Sequence, residues 1–181
     1  MPFERKAARE VYRNAWLGLE VHDIVHPNGK PGEHVLIVPQ PCSAVLVDDD
    51  GDLLFARQER FGADAAVLEV VKGGAESGET PLECAKRELR EELGVVAAHW
   101  ESLGSFYEIP SILATPVHAY WARGIEHVDT DFEPVESVEL VRIPAAVAIA
   151  AAAADKIDDA ITVAALLRYA VKSEKLRPAQ P

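Results

Sequence analysis

Through Val71 the chain gathers its apolar residues into short β-rich runs divided by turn residues. Val11, Tyr12, Trp16, Leu17, Leu19, Val21, Ile24 and Val25 crowd residues 10–25, and Pro27-Asn28-Gly29-Lys30 follows as a tight turn. Residues 35–38 and 43–47 have the continuous apolar character of buried strands. Asp48-Asp49-Asp50-Gly51-Asp52 predicts a hairpin turn into a strand over 53–58. Residues 67–71 form another β-branched run that leads directly into Gly73-Gly74. From Thr80 the period changes, because Leu82, Ala85, Leu89 and Leu93 recur every three or four residues on one helical face. Thr80-Pro81-Leu82-Glu83 has the form of a capping box with proline at the first helical position, and Gly94 supplies the stop. Strands return over 100–107, 117–122 and 138–143, helices follow over 145–154 and 158–171, and 175–181 reads as a frayed tail.

Length and composition narrow this picture. At 181 residues the chain is expected to form one domain over 1–181, which can bury roughly 70% of its unfolded surface without disulfides or a structural metal. Its two cysteines, Cys42 and Cys84, sit among apolar neighbours with no CxxC spacing, so a reducing cytoplasm is the expected compartment. Residues 1–10 are charged, which argues against a signal peptide, and the longest apolar run, 145–154, falls short of the ~18–20 residues that span a bilayer. No membrane partner is expected. The formal charge of −12 repels a phosphate backbone, so no nucleic-acid partner is expected either. A phosphorylated ligand would need local cations or a metal to mask that repulsion.

The helix after Thr80 offers such a place. On a 100° wheel Glu88, Glu91 and Glu92 lie together on the flank of the buried stripe. Like charges at that spacing repel, and a site for Mg²⁺ or Mn²⁺ wants clustered hard oxygens. A solvated acidic face offset by Arg87 and Arg90 is the alternative. The acidic turn at 48–52 lacks the alternating ligands and closing glutamate of an EF-hand. Cys84 reads as a packing residue.

The helix is preceded by Gly73, Gly74, Glu76, Gly78 and Glu79 in a loop that follows a strand. Gly73, five residues, Glu79, seven residues, Arg87-Glu88-Leu89, one residue, Glu91-Glu92, one residue, Gly94-Val95: this spacing resembles the Nudix box in every defined position. The resemblance implies an α/β fold, the Nudix α/β/α sandwich with a mixed β-sheet. It also implies Mg²⁺ or Mn²⁺ held on a substrate pyrophosphate by Glu88, Glu91 and Glu92, with the carbonyl of Lys72 as a further ligand. Glu79 and Arg87 are implied to brace the loop, and Gly73 and Gly74 to let the backbone approach the phosphates.

Further segments resemble ADP-ribose pyrophosphatases: Tyr12-Arg13-Asn14-Ala15-Trp16, Arg57-Gln58-Glu59-Arg60, Leu68-Glu69-Val70-Val71, Pro110, and Lys156-Ile157-Asp158-Asp159-Ala160-Ile161-Thr162. Two features depart from that group. Thr115 stands where a glutamate is usual, and Lys72 replaces a common alanine, as in hydrolases of ADP compounds more broadly. The implied reaction is hydrolysis of ADP-ribose or a related ADP-linked compound to AMP and, from ADP-ribose, ribose 5-phosphate. NADH, diadenosine polyphosphates and nucleotide sugars are the alternative substrates, and a non-catalytic nucleotide sensor is the rival class. Trp16 is either an adenine platform or a strand packing residue. Arg60 is expected to hold a phosphate, against an ion pair with Glu59 or a loop carboxylate. The general base is expected outside the box, at Glu133 or Glu136. The resemblance also implies a homodimer paired through the N-terminal strands, about 10–38, with the core over about 39–172. The apolar content of 11–25 exceeds what a free edge strand should expose.

Overall fold

A computed structural model of the chain describes residues 3–129 and 138–175. Three antiparallel strands, β1 (Glu4–Arg13), β2 (Leu17–Val25) and β3 (Pro31–Pro39), form a small N-terminal sheet. The expected single run over 10–25 is divided, because the Asn14 carboxamide oxygen accepts the N–H groups of Trp16 and Leu17, both at 2.9 Å, and turns the chain. β1 begins well before its expected start. It is exposed along its whole length, so backbone pairing with β2 needs no apolar alternation in the sequence to announce it.

The main sheet holds β4 (Cys42–Asp49), β5 (Asp52–Arg60), β6 (Ala65–Glu69), β7 (Val71–Gly74), β8 (Val95–Phe106), β9 (Val117–His127) and β10 (Glu139–Pro144). Its order is β10-β5-β4-β9-β8, with β6 on β5 and β7 on β4. β4 and β9 run parallel among otherwise antiparallel pairs, so the sheet is mixed, as expected. The run 67–71, expected as one strand, changes partner at Val70: Glu69 pairs with Ala56 of β5, and Val71 with Val45 of β4. β8 starts at Val95 rather than Trp100, because Gly94 adopts a left-handed φ of 61° and turns the helix end straight into the strand.

Helix α1 (Pro81–Leu93) covers one face of this sheet, and α2 (Ala145–Ala153) and α3 (Ala160–Lys172) cover the other. Alternation along β4 feeds both layers. Val45 and Val47 pack with Ala85, Leu89 and Leu93 of α1, while Ala44 and Leu46 pack with Ala148, Ile161, Ala165 and Tyr169. This α/β/α arrangement is the expected fold. Truncating the fully buried Leu89 to alanine would cost ~2–5 kcal/mol.

The expected capping box is present: Thr80 N–H donates to Glu83 at 2.8 Å, and the Thr80 hydroxyl oxygen accepts the Glu83 N–H. The acidic turn is consumed structurally. Asp48 accepts the Gly51 N–H and the Tyr169 hydroxyl, while Asp49 and Asp52 both pair with Arg142 of β10.

Candidate active site

β7 lays Gly73-Gly74 against α1, and Arg87 binds the two together. Its guanidinium donates to Glu79 at 3.0 Å from two nitrogens, to the Gly74 carbonyl at 2.8 Å, to Glu88 at 2.7 Å and to Glu91 at 2.9 Å. Bonded to Arg87, Glu79 is held below its ordinary carboxylate range, and Arg87 is held above its own range first by Glu79 and then by Glu88.

Glu88 lies where the backbone has no side chain, since a β-carbon on Gly73 would sit 2.0 Å from its carboxyl carbon. The Oε2 of Glu92 is buried without a hydrogen-bond partner. Burial, followed by the negative charges of Glu88 and Glu69 and against the opposing pull of Arg60 and Lys72, pushes the Glu92 carboxyl up to about 8. Burial also raises Glu88, against Arg87. Glu88 and Glu92 thus feel one another's charge, while among the described residues no group of three His, Cys, Asp or Glu is gathered to hold a metal. Arg87 takes Glu88 and Glu91 instead. A hard cation still suits the donor set. An orphaned carboxylate oxygen on Glu92, raised toward protonation, sits near a second carboxylate on Glu88, and only glycine leaves room between that carboxylate and β7.

A chain of ion pairs runs beside Glu92. Arg60 forks onto Glu69 with contacts of 2.6–3.1 Å, Lys72 reaches Glu69 at 3.2 Å and Asp159 at 2.6 Å, and Asp159 caps α3 by accepting the Thr162 N–H at 2.8 Å. Glu69 is a strand residue with a side chain only 4% exposed. The ion pair weighed for Arg60 exists, but its acceptor is Glu69 on β6 rather than Glu59.

Arg60 and Lys72 of this chain of pairs line a cleft of about 340 Å³ together with Trp16, Gln40, Gly73 and Glu108 among others. The structure thus brings together Trp16, Arg60, Lys72, Gly73 and Gly74, which the sequence placed far apart. Trp16 is 73% exposed and packs in no core, which removes the strand-packing reading. Its turn is fixed to the cleft by Gln40, whose N–H donates to the Trp16 carbonyl at 3.1 Å and whose carboxamide donates to the Ala15 carbonyl at 2.7 Å. The small sheet is anchored here too, with Ile37 of β3 hydrogen-bonded to Ile112 and Ala114 in the segment after Pro110. Cys42 lines the same cleft, and burial pushes its thiol up to about 12, which keeps it un-ionised and unreactive. Burial also raises Glu108, against the pull of Lys72.

Sequence reasoning passed over Gln40, Glu69, Glu108 and Asp159 as site residues. Glu69 carried a signal, a lone carboxylate within an apolar run, and Asp159 carried the look of a helix cap. Gln40 and Glu108 carried none. Glu133 and Glu136 lie outside the described residues.

The chain belongs to the Nudix family, since the model of the NUDIX domain matches residues 39–165. It is similar to an ADP-ribose pyrophosphatase of Bacillus subtilis (strain 168), 27% identical over 93% of this chain and 95% of that protein. It is also similar to a methanol dehydrogenase activator of Bacillus methanolicus, 26% identical over 97% of each. A NAD-capped RNA hydrolase of Pseudomonas aeruginosa (strain LESB58) matches more locally, 36% identical over 46% of this chain and 30% of its own. A solved ADP compounds hydrolase shares the fold, with a TM-score of 0.79, 23% identity and 96% of each chain covered.

Proposed function

We propose that this Nudix hydrolase cleaves the pyrophosphate bond of ADP-ribose or a closely related ADP-linked compound, giving AMP and, from ADP-ribose, ribose 5-phosphate, with Mg²⁺ or Mn²⁺ as cofactor. The observation that carries the reading is the cleft itself, where an exposed Trp16, two cations and a glycine strand line one cavity. That layout suits a base, a diphosphate and a close backbone approach in one ligand. The near full-length likeness to the Bacillus subtilis enzyme supports the choice of ADP-ribose among ADP compounds. NADH, diadenosine polyphosphates and nucleotide sugars remain the alternative substrates of the same chemistry.

Glu88, Glu91 and Glu92, with the Lys72 carbonyl, would hold the metal. When bound, it supplies neutralisation of the diphosphate charge and activation of the attacking water. The chain's own residues do the rest. Trp16 stacks on adenine, Arg60 and Lys72 bind phosphate oxygens, and Arg87 with Glu79 keeps the glycine strand and the helix in register. Glu133 or Glu136 accepts the proton of the attacking water.

We further propose a cytoplasmic homodimer that pairs through β1 and β2 and shares its active site. β1 exposes every residue, including Val11 and Tyr12 at 50% and 54%, and a second copy would cover them. Among the described residues no helix is long and apolar enough to cross a membrane.

The test is AMP release from ADP-ribose with Mg²⁺, read by phosphate liberated with an added phosphatase. Glu92→Gln should lose at least ~10²-fold in kcat, and Glu133→Gln or Glu136→Gln roughly 10²–10⁴-fold with affinity retained. Near-normal turnover of Glu92→Gln at saturating Mg²⁺ would sink the metal assignment. A non-catalytic sensor would instead raise its Tm with ADP-ribose and release nothing.

A further inference from the structure

Glu108 stands in the segment that leaves β8, lines the cleft beside Cys42, Lys72 and Gly73, and feels the charges of Lys72 and Asp159. Among the described residues it makes no hydrogen bond and no ion pair, whereas the other charged groups on this wall are engaged. Lys72 is clasped between Asp159 and Glu69, and Arg60 forks onto Glu69. Among the described residues the cleft lining therefore carries two cations, Arg60 and Lys72, each already offset by Glu69 or Asp159 behind it, and one unengaged carboxylate, Glu108. Two cations offset in this way would suit a diphosphate whose charge a metal shares, and among the described residues the lining holds no further cation for a third phosphate.

From this imbalance we infer that Glu108 is a specificity-determining residue, which selects diphosphates followed by a sugar hydroxyl and rejects longer polyphosphate chains. The inference rests on the pyrophosphatase reading and narrows its substrate class to ADP-sugar-type compounds over diadenosine polyphosphates and nucleoside triphosphates. An ionised carboxylate accepts a hydrogen bond from a hydroxyl and cannot donate one to a phosphate oxygen. In a partly enclosed cleft the same carboxylate repels additional negative charge more strongly than it would in open water. Attraction to one ligand and repulsion of the other act in the same direction.

The experiment measures kcat/KM for ADP-ribose and for diadenosine tetraphosphate with the full chain and Mg²⁺, comparing the wild type with Glu108→Gln and Glu108→Lys. Circular dichroism checks that the variants fold, as expected for an exposed position. The wild type should favour ADP-ribose. Glu108→Gln should reduce that preference about tenfold, chiefly through KM, and Glu108→Lys should reduce it further. A preference unchanged in both variants would overturn the inference. Should the wild type cleave neither compound, the pyrophosphatase reading fails by itself. The selectivity is then judged on binding of ADP-ribose against adenosine 5′-tetraphosphate, by the same ratio and the same criterion.

Discussion

The carboxyl group of Glu88 fills the space in which a β-carbon on Gly73 would stand. An ideal β-carbon there lies 2.0 Å from its Cδ, 2.1 Å from Oε1 and 2.4 Å from Oε2, closer than real contacts allow. Glycine at this position thus leaves the room that the Glu88 carboxylate occupies against β7. Gly73→Ala must push Glu88 out of place, and a displacement of that order costs about 10²-fold in a positioned site. The expected outcome is a kcat lowered to that degree, with the Tm of the metal-free protein nearly unchanged because no core atom is lost. A kcat within twofold of wild type would show that the Glu88 position is immaterial.

Arg87 joins Glu79, Glu88, Glu91 and the Gly74 carbonyl through one planar fork. Arg87→Lys retains the charge and loses the fork, leaving Glu79 with the Glu76 N–H as its remaining donor and depriving the Gly74 carbonyl of its guanidinium partner. A cost of about 1–3 kcal/mol follows, or a Tm lower by several degrees for a chain of this length. Calorimetry of the two proteins at one pH checks it, and an equal Tm would count against the bracing role.

The Glu92 carboxyl, pushed up to about 8 by burial and then by Glu88, sets a pH dependence on the metal-free protein. Its folded pKa is above its unfolded value, so the folded state binds the proton more tightly. The stabilisation is complete below the unfolded value near 4.5 and is lost as pH rises to about 8. In chelator-treated protein the Tm should therefore fall across that window, and Glu92→Gln, which cannot ionise, should flatten the fall. Parallel Tm profiles for the two proteins would refute the assignment.

Gln40 holds the turn that presents Trp16, and its side chain also touches the position of Gly74, where a β-carbon would meet its Oε1 at 3.0 Å. Releasing that turn should weaken nucleotide binding without altering the chemistry. Gln40→Ala is expected to raise KM several-fold at constant kcat. Trp16→Ala should raise it by about 10–100-fold, the scale of one lost base stack. Equal losses in kcat would mean that the turn acts on the reacting atoms instead.

How much of this was legible beforehand follows from the range of the forces involved. Helix α1, its Thr80 cap and its Gly94 stop are set by contacts within a few residues, so the local period and the capping residues declare them. The glycine and glutamate spacing of 73–95 is likewise a local pattern. The first half of β1 left no trace, because an exposed strand held by backbone pairing needs no apolar alternation, and the break between β6 and β7 depends on which neighbour each half meets. The site shows the same division. The sequence alone determined which carboxylates share the α1 flank. Only the tertiary structure decided that Arg87 pairs with Glu88 and Glu91 while the Glu92 oxygen is left buried without a partner near Arg60 and Lys72. It also brought Trp16, Gln40 and Glu108 around one cleft, with Glu69 and Asp159 paired to the cations that line it. Those residues come from segments scattered along the chain and meet because β4 pairs with β7 and β9, β6 pairs with β5, and α3 packs behind them. Such long-range pairing depends on the burial of whole faces, which no local stretch of sequence contains.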